Sequence, residues 1–182
     1  EKLMIGQSIE KVFQVDDHIG ASATGYLMDG RVLIERAQLI AQQNKVTYDT
    51  PIDILSLVKD VANMKQAYTQ FGGARPFGVS IMFAGVDDDG PQLYVTDVTG
   101  IYFQYKATVI GEAETQLKEI LEKEYDADMP LEQGMKVAVS AFKRVFGKDF
   151  DIDRIDGAYI KTSDKQFRKI DKESLKKLAK KV

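Results

Sequence analysis

The sequence predicts an α+β fold of antiparallel sheets with helices on the outside, and three observations carry that reading. Hydrophobic periodicity gives the element order ββααβββααββα, which is not the strict strand–helix alternation of a parallel sheet. Neighbouring strands are joined by acidic or glycine-bearing tight turns, such as Asp87-Asp88-Asp89-Gly90, as hairpins require. A chain of 182 residues, 44% apolar and 29% charged, is enough for one domain with a real core, so residues 1–182 read as a single unit.

Residues 11–17 and 19–27 read as two strands. The first alternates through Val12, Phe13, Gln14 and Val15. The second, Ile19-Gly20-Ala21-Ser22-Ala23-Thr24-Gly25, is so poor in bulk that it suits close packing against a helix or another backbone. Asp29 offers a helix N-cap, and Val32, Leu33, Ala37, Ile40 and Ala41 share one face as far as Asn44. Thr50-Pro51-Ile52-Asp53 starts a second helix: Thr50 caps it, Pro51 sits where its missing N–H costs nothing, and Asp53 lies near the positive end. Leu57, Val61, Met64 and Tyr68 follow at helical spacing, with Ile54, Val58 and Ala62 widening the stripe. Gly72 and Gly73 then supply backbone angles forbidden to other residues, and Pro76 pushes Arg75 towards extended geometry.

Strands over 79–86, 92–97 and 102–110 come next, the last ending at Gly111. Two helices follow. Leu117, Ile120, Leu121 and Tyr125 stripe the first; Leu131, Met135, Ala138, Phe142 and Val145 stripe the second, with Pro130 at its start. A hairpin over 155–161 and 166–170 leads into a final helix carrying Leu175, Leu178, Ala179 and Val182.

Several chemistries are excluded or unsupported. There is no cysteine, which removes disulfides, thiolate nucleophiles and Cys-ligated metals. A net charge of −3 gives no reason to expect nucleic acid or an anionic membrane as partner, and no run reaches the ~18 apolar residues of a membrane span. His18 is the single histidine, so His-rich metal sites are out of reach. Its neighbour Asp17 points to the opposite face of a strand, which defeats a Ser-His-Asp arrangement. Asp149-Phe150-Asp151-Ile152-Asp153 opens like a calcium loop, yet Arg154 stands where Gly is needed and Ile160 where the bidentate Glu belongs. The lysine pairs 176–177 and 180–181 form a solvated basic face near a negative helix end, and no phosphate-binding glycine loop occurs. No catalytic set, metal site or cofactor site emerges. The remaining enzymatic alternative is a hydroxyl nucleophile, Thr24 or Ser80, for which no general base is evident.

Tyr68-Thr69-Gln70-Phe71-Gly72-Gly73-Ala74-Arg75-Pro76-Phe77-Gly78-Val79-Ser80 resembles the Gly-Gly-x-Arg-Pro-Phe-Gly-Val-Ser signature of proteasome α subunits. Ser8-Ile9-Glu10-Lys11, Arg31-Val32-Leu33-Ile34, the run from Ala41 to Tyr48, Tyr105-Lys106-Ala107-Thr108 and Leu121-Glu122-Lys123-Glu124-Tyr125 fit the same family in order and separation. The flavour is archaeal. The resemblance implies the N-terminal nucleophile hydrolase architecture, an αββα sandwich of two antiparallel sheets between helix layers, here without the first two strands and leading helix.

The resemblance further implies a non-catalytic cytoplasmic subunit in a seven-membered α ring. Such a ring stacks on proteasome β subunits, gates the passage of unfolded protein substrates and receives the C-terminal tails of an activating ATPase ring. An α-type ring acting as an assembly scaffold is the variant of that reading. By position, Lys11 matches the lysine that binds the tail carboxylate and Gly25 the glycine beside it, a charge plus open backbone suited to carboxylate capture. Phe71, Gly72, Gly73 and Ala74 match the turn lining the pore annulus. Two departures stand out. Tyr26 and Met28 bring bulk beside the tail pocket, and Gly111-Glu112-Ala113 replaces the family's Gly-Ser-Gly.

Overall fold

The structure, a computed structural model, describes residues 11–181, so the Ser8-Ile9-Glu10 part of the first motif and Val182 lie outside the described residues. Five antiparallel strands form one sheet in chain order: β1 (Val12–Asp16), β2 (Ile19–Gly25), β3 (Val79–Asp87), β4 (Gly90–Thr96) and β5 (Tyr102–Gln104). Two long helices, α1 (Leu27–Tyr48) and α2 (Ile54–Tyr68), interrupt the strand run and pack on one face of that sheet. The register pairs Ile19 with Gly85 and Gly25 with Val79, so β2 and β3 match along their whole length. Alternation then puts Ile19 and Ala21 of β2 with Val79, Ile81 and Phe83 of β3 on the helix side. There they meet Leu33, Ile34, Ala37 and Ala41 of α1 and Ile54, Leu57, Val58 and Val61 of α2 in one buried core.

The opposite face carries the smaller layer. Strands β6 (Ala158–Ile160) and β7 (Phe167–Lys169) form a two-stranded antiparallel sheet, followed by α5 (Lys172–Lys180). The Phe167 amide donates to the Asp17 carbonyl at 2.6 Å, and the Phe167 ring lies where a β-carbon on Gly20 would stand, 2.7 Å away. The lack of bulk read from the β2 sequence therefore has a direct cause. Helices α3 (Glu114–Glu124) and α4 (Leu131–Phe146) pack on each other, and α5 packs on α4. The result is helices, sheet, sheet, helices: the sandwich of antiparallel sheets that the sequence predicts. Between the two sheets lies an apolar cavity of about 440 Å³ lined by residues that include Val12, Met82, Ala84, Val86, Tyr159 and Phe167.

Several boundaries differ from expectation, each for a physical reason. Asp29 is not the N-cap of α1; that position belongs to Tyr26, and the Asp29 side chain is engaged elsewhere. Helix α1 runs past Asn44 to Tyr48 and stops where Asp49 turns left-handed, with φ of 54°. Helix α2 begins at Ile54 rather than at Pro51. Asp53 is its cap, accepting from the amides of Leu55 (3.2 Å) and Ser56 (2.9 Å). Strand β5 stops at Gln104, because the chain after Tyr105 leaves the sheet to line a cleft together with Leu121 and Tyr125. Finally, Gly73 has a left-handed φ of 86°, whereas Gly72 does not.

Candidate functional site

The Phe71–Ala74 turn is built on two stems. One is the end of α2, where Thr69 and Gln70 amides fold back onto the carbonyls of Gln66 and Ala67. The other is the extended run from Arg75 into β3. The rings of Tyr68 and Phe77, 4.6 Å apart between centroids, close the base of the loop. Within the loop the Ala74 amide donates to the Phe71 carbonyl at 3.2 Å. Phe71 is 65% exposed, and neither Gly72 nor Gly73 has any atom within 4 Å of where a β-carbon would be. The tip is an open, small-residue surface.

Gly25 sits at the opposite extreme of crowding. It ends β2 with φ of 116°, and a β-carbon there would stand 2.3 Å from the Gly78 carbonyl oxygen. The next residue, Tyr26, donates its amide to that same carbonyl at 2.9 Å. Lys11 precedes β1, and since Val12 pairs with Ser22, it lies about two strand residues, roughly 7 Å, from the level of Gly25. Its ammonium donates to the Arg154 carbonyl at 2.6 Å. The structure thus brings the Gly25 turn against the strand stem of the 71–74 loop, while Lys11 rests on the segment before β6.

An ion pair between the exposed guanidinium of Arg75 and the buried carboxylate of Asp29 joins these parts. Arg75 grips Asp29 with both arms of its guanidinium, at 2.6 and 2.7 Å, and the Gly78 amide donates to the same carboxylate at 2.8 Å. Asp29 is buried, and the Arg75 hydrogen bond, helped by the Gly78 amide, holds its carboxyl down to about 2. The guanidinium also lies over the Tyr26 ring, 5.5 Å from its centroid. Sequence reasoning missed this cluster, since Asp29 and Arg75 stand 46 positions apart and nothing local marks them as partners.

A second feature was also missed. Lys65 is fully buried on α2 and donates to the Thr96 carbonyl and hydroxyl. Here a signal existed, because Lys65 falls four residues after Val61 on the buried stripe.

The candidate nucleophiles occupy paired positions, Thr24 on β2 opposite Ser80 on β3. His18 precedes the far end of β2, six residues from Thr24, roughly 20 Å along the strand. Its Nε2 donates to the Ile52 carbonyl at 2.8 Å, and Nδ1 lies 3.5 Å from Asp16. The acidic run after α4 forms capped turns: Asp151 accepts from the Asp153 amide, and Asp153 pairs with Lys176.

A family model described as proteasome subunit matches residues 1–160. The chain belongs to the proteasome subunit family. Its proteasome relatives include the protein named proteasome subunit alpha of Methanocaldococcus jannaschii, 45% identical over 181 residues, which is 100% of this chain and 69% of that one. Those of Methanosarcina barkeri and Archaeoglobus fulgidus are each 41% identical, over 93% and 96% of this chain and 68% and 71% of theirs. The proteasome relatives named here are archaeal and are α subunits, which matches the type that the Tyr68–Ser80 signature implies. No helix among the described residues is long and apolar enough to cross a membrane.

Proposed function

We propose that the chain is a non-catalytic subunit of the outer ring of the proteasome core particle. In this reading it works in the cytoplasm, assembles with other α subunits into a ring of seven, and stacks on β subunits. The ring gates the passage of unfolded proteins, with Phe71, Gly72, Gly73 and Ala74 on the pore annulus. Lys11 and Gly25 receive the C-terminal carboxylate of activating ATPase tails. No nucleic acid, metal or cofactor takes part.

The observation that carries the reading is the shape of the 71–74 turn in a chain of this family. It is exposed and free of neighbours at both glycines, yet held by an ordered base. Copies of such a turn around an axis make a narrow, smooth annulus that passes extended chain. A catalytic role has little support, since Thr24 and Ser80 stand far from His18, which is already bonded to Ile52.

Gly72→Trp and Ala74→Trp test the gate in core particles assembled with this α chain. Both should slow degradation of an unfolded protein while hydrolysis of a very short peptide falls much less. Gly72 has space for the added side chain and no left-handed φ, so assembly is expected to survive. Wild-type rates on long and short substrates in two well-assembled variants would remove the turn from the pore.

A further inference from the structure

Helix α1 carries two apolar stripes, and the fold described above uses one of them. Leu33, Ile34, Ala37 and Ala41 lie in the buried core. On the opposite side Met28, Val32, Leu39 and Val46 are exposed, Val46 at 88%. At about 100° per residue these four fall within roughly 40° of one another, on a seam roughly 27 Å long. Glu35 and Gln42 complete its alternating spacing of four and three, the repeat by which one helix packs along another. The neighbouring helix α2 shows nothing comparable. Apart from Tyr68 at its end, its exposed positions are Ser56, Lys59, Asn63 and Gln66. An apolar seam left open along one helix marks an interaction surface.

The seam is symmetric about Leu39, with Val32 and Val46 seven residues to either side. In an antiparallel crossing on a two-fold axis at Leu39, that residue meets its own copy and Val32 meets Val46. The charges agree with this pairing. Glu35 falls opposite Gln43, Arg36 opposite Gln42 and Arg31 opposite Thr47, so no charge faces its like. Arg31 and Glu35 already pair within their own helix at 2.9 Å. The two helix dipoles also run in opposite directions, which is their favourable arrangement.

We propose that the exposed seam of α1 pairs with the same seam on a second copy of this chain, antiparallel about a two-fold axis at Leu39. Such a contact differs from those that close a ring of seven. Ring contacts run head to tail, and two-fold contacts cannot link an odd number of subunits into a closed ring. The seam therefore joins rings instead of building one, and sets two α rings face to face. A single pair of seams buries roughly 500 Å² over both partners, short of the roughly 1,200 Å² of a stable interface, and seven pairs acting together make up the difference. The strength of the contact rests on the reading of the chain as a ring subunit, whereas its geometry does not.

Native mass spectrometry of the full α chain, purified without β subunits, provides the test. Wild type should show fourteen copies, two rings of seven. Leu39→Glu and Leu39→Arg each set like charges against each other on the axis, and each should halve the mass. Mixing the two variants should restore it, because Glu then meets Arg, and that recovery also shows both variants to be folded. Asn63→Glu, a charge on the outer face of α2, should leave the mass unchanged. Seven copies in wild type, full mass in Leu39→Glu, or a mixture that does not recover would each overturn the pairing. Loss of β-subunit binding in Leu39→Glu, alongside a mixture that does not recover, would overturn it in favour of a β-subunit dock. The halved species tests the ring separately. Seven copies there retain the outer-ring reading; one copy, doubling to two in wild type, removes that reading and keeps the pairing.

Discussion

The ammonium of Lys65, completely buried on α2, donates to the hydroxyl of Thr96 at 2.9 Å and to its carbonyl at 3.2 Å. Thr96 ends β4 and is itself fully buried. The following turn is seated on the same helix: a β-carbon on Gly100 would stand 2.5 Å from the Ala62 carbonyl oxygen. Burial, partly offset by Asp97, pushes Lys65 down to about 8 from its ordinary 10.5. Between those values the unfolded chain binds more protons than the folded one, so this group makes stability rise with pH from about 8 to 10.5. Lys65→Met should remove that rise. Chemical denaturation of both proteins across the window gives the difference directly, and parallel curves would refute the assignment.

Asp29 works at the other end of the pH scale. Its carboxyl is held at about 2 against an ordinary 3.8, so its contribution is complete above 3.8 and is lost as pH falls through 2. Asp29→Asn should cost about 2 kcal/mol at neutral pH, since a buried charged hydrogen-bond acceptor is lost. The variant should also show a shallower acid limb between pH 4 and 2. An unaltered acid limb would mean that Arg75 does not depress the carboxyl.

Two glycines should respond very differently to the same change. Gly25→Ala places a methyl 2.3 Å from a backbone oxygen at a left-handed φ, and should destabilise by about 3 kcal/mol or more. Gly72→Ala meets nothing within 4 Å and should lie within about 0.5 kcal/mol of wild type. Thermal melts of the two variants decide it, and equal losses would contradict the packing around Gly25.

The purified chain should show no peptidase activity. Thr24 and Ser80 face each other across β2 and β3, with His18 six residues along the strand from Thr24. Turnover of a fluorogenic peptide should equal the buffer blank, with Thr24→Ala and Ser80→Ala changing nothing. Specific turnover abolished by either substitution would establish an enzyme.

What was legible in the sequence was mainly local. Alternation in β1, the bulk-free β2 and the apolar stripe of α2 follow from near-neighbour geometry, and the structure has each of them. The signature around Gly72 and Gly73 also located the loop that the structure leaves open. Asp29 reads as a cap in the sequence because an acidic residue before an apolar run ordinarily serves as one. A guanidinium 46 residues away claims it instead, and no pattern in a window of one helix shows that. Thr50 and Pro51 gave a plausible helix start, yet Asp53 had the same chemistry and the geometry to reach two amides. Periodicity extends β5 to Ile110, but only as far as Tyr105, whose amide donates to the Leu93 carbonyl, does the chain bond across the sheet; the residues after it line a cleft with Leu121 and Tyr125 instead.

The unequal distribution of the two sheets along the chain has a consequence for biosynthesis. Among the described residues, the five strands of the larger sheet, with α1 and α2, lie within residues 12–104. The ties that fasten the smaller sheet to it run from Phe167 to Asp17, from Lys165 to Asp88 and from Lys11 to the Arg154 carbonyl. On a ribosome these strands can therefore pair before the residues that form β6, β7 and α5 have been made. The β6–β7 hairpin arrives later, as a lid lowered onto strands already paired, and Gly20 keeps clear the spot where the Phe167 ring must land.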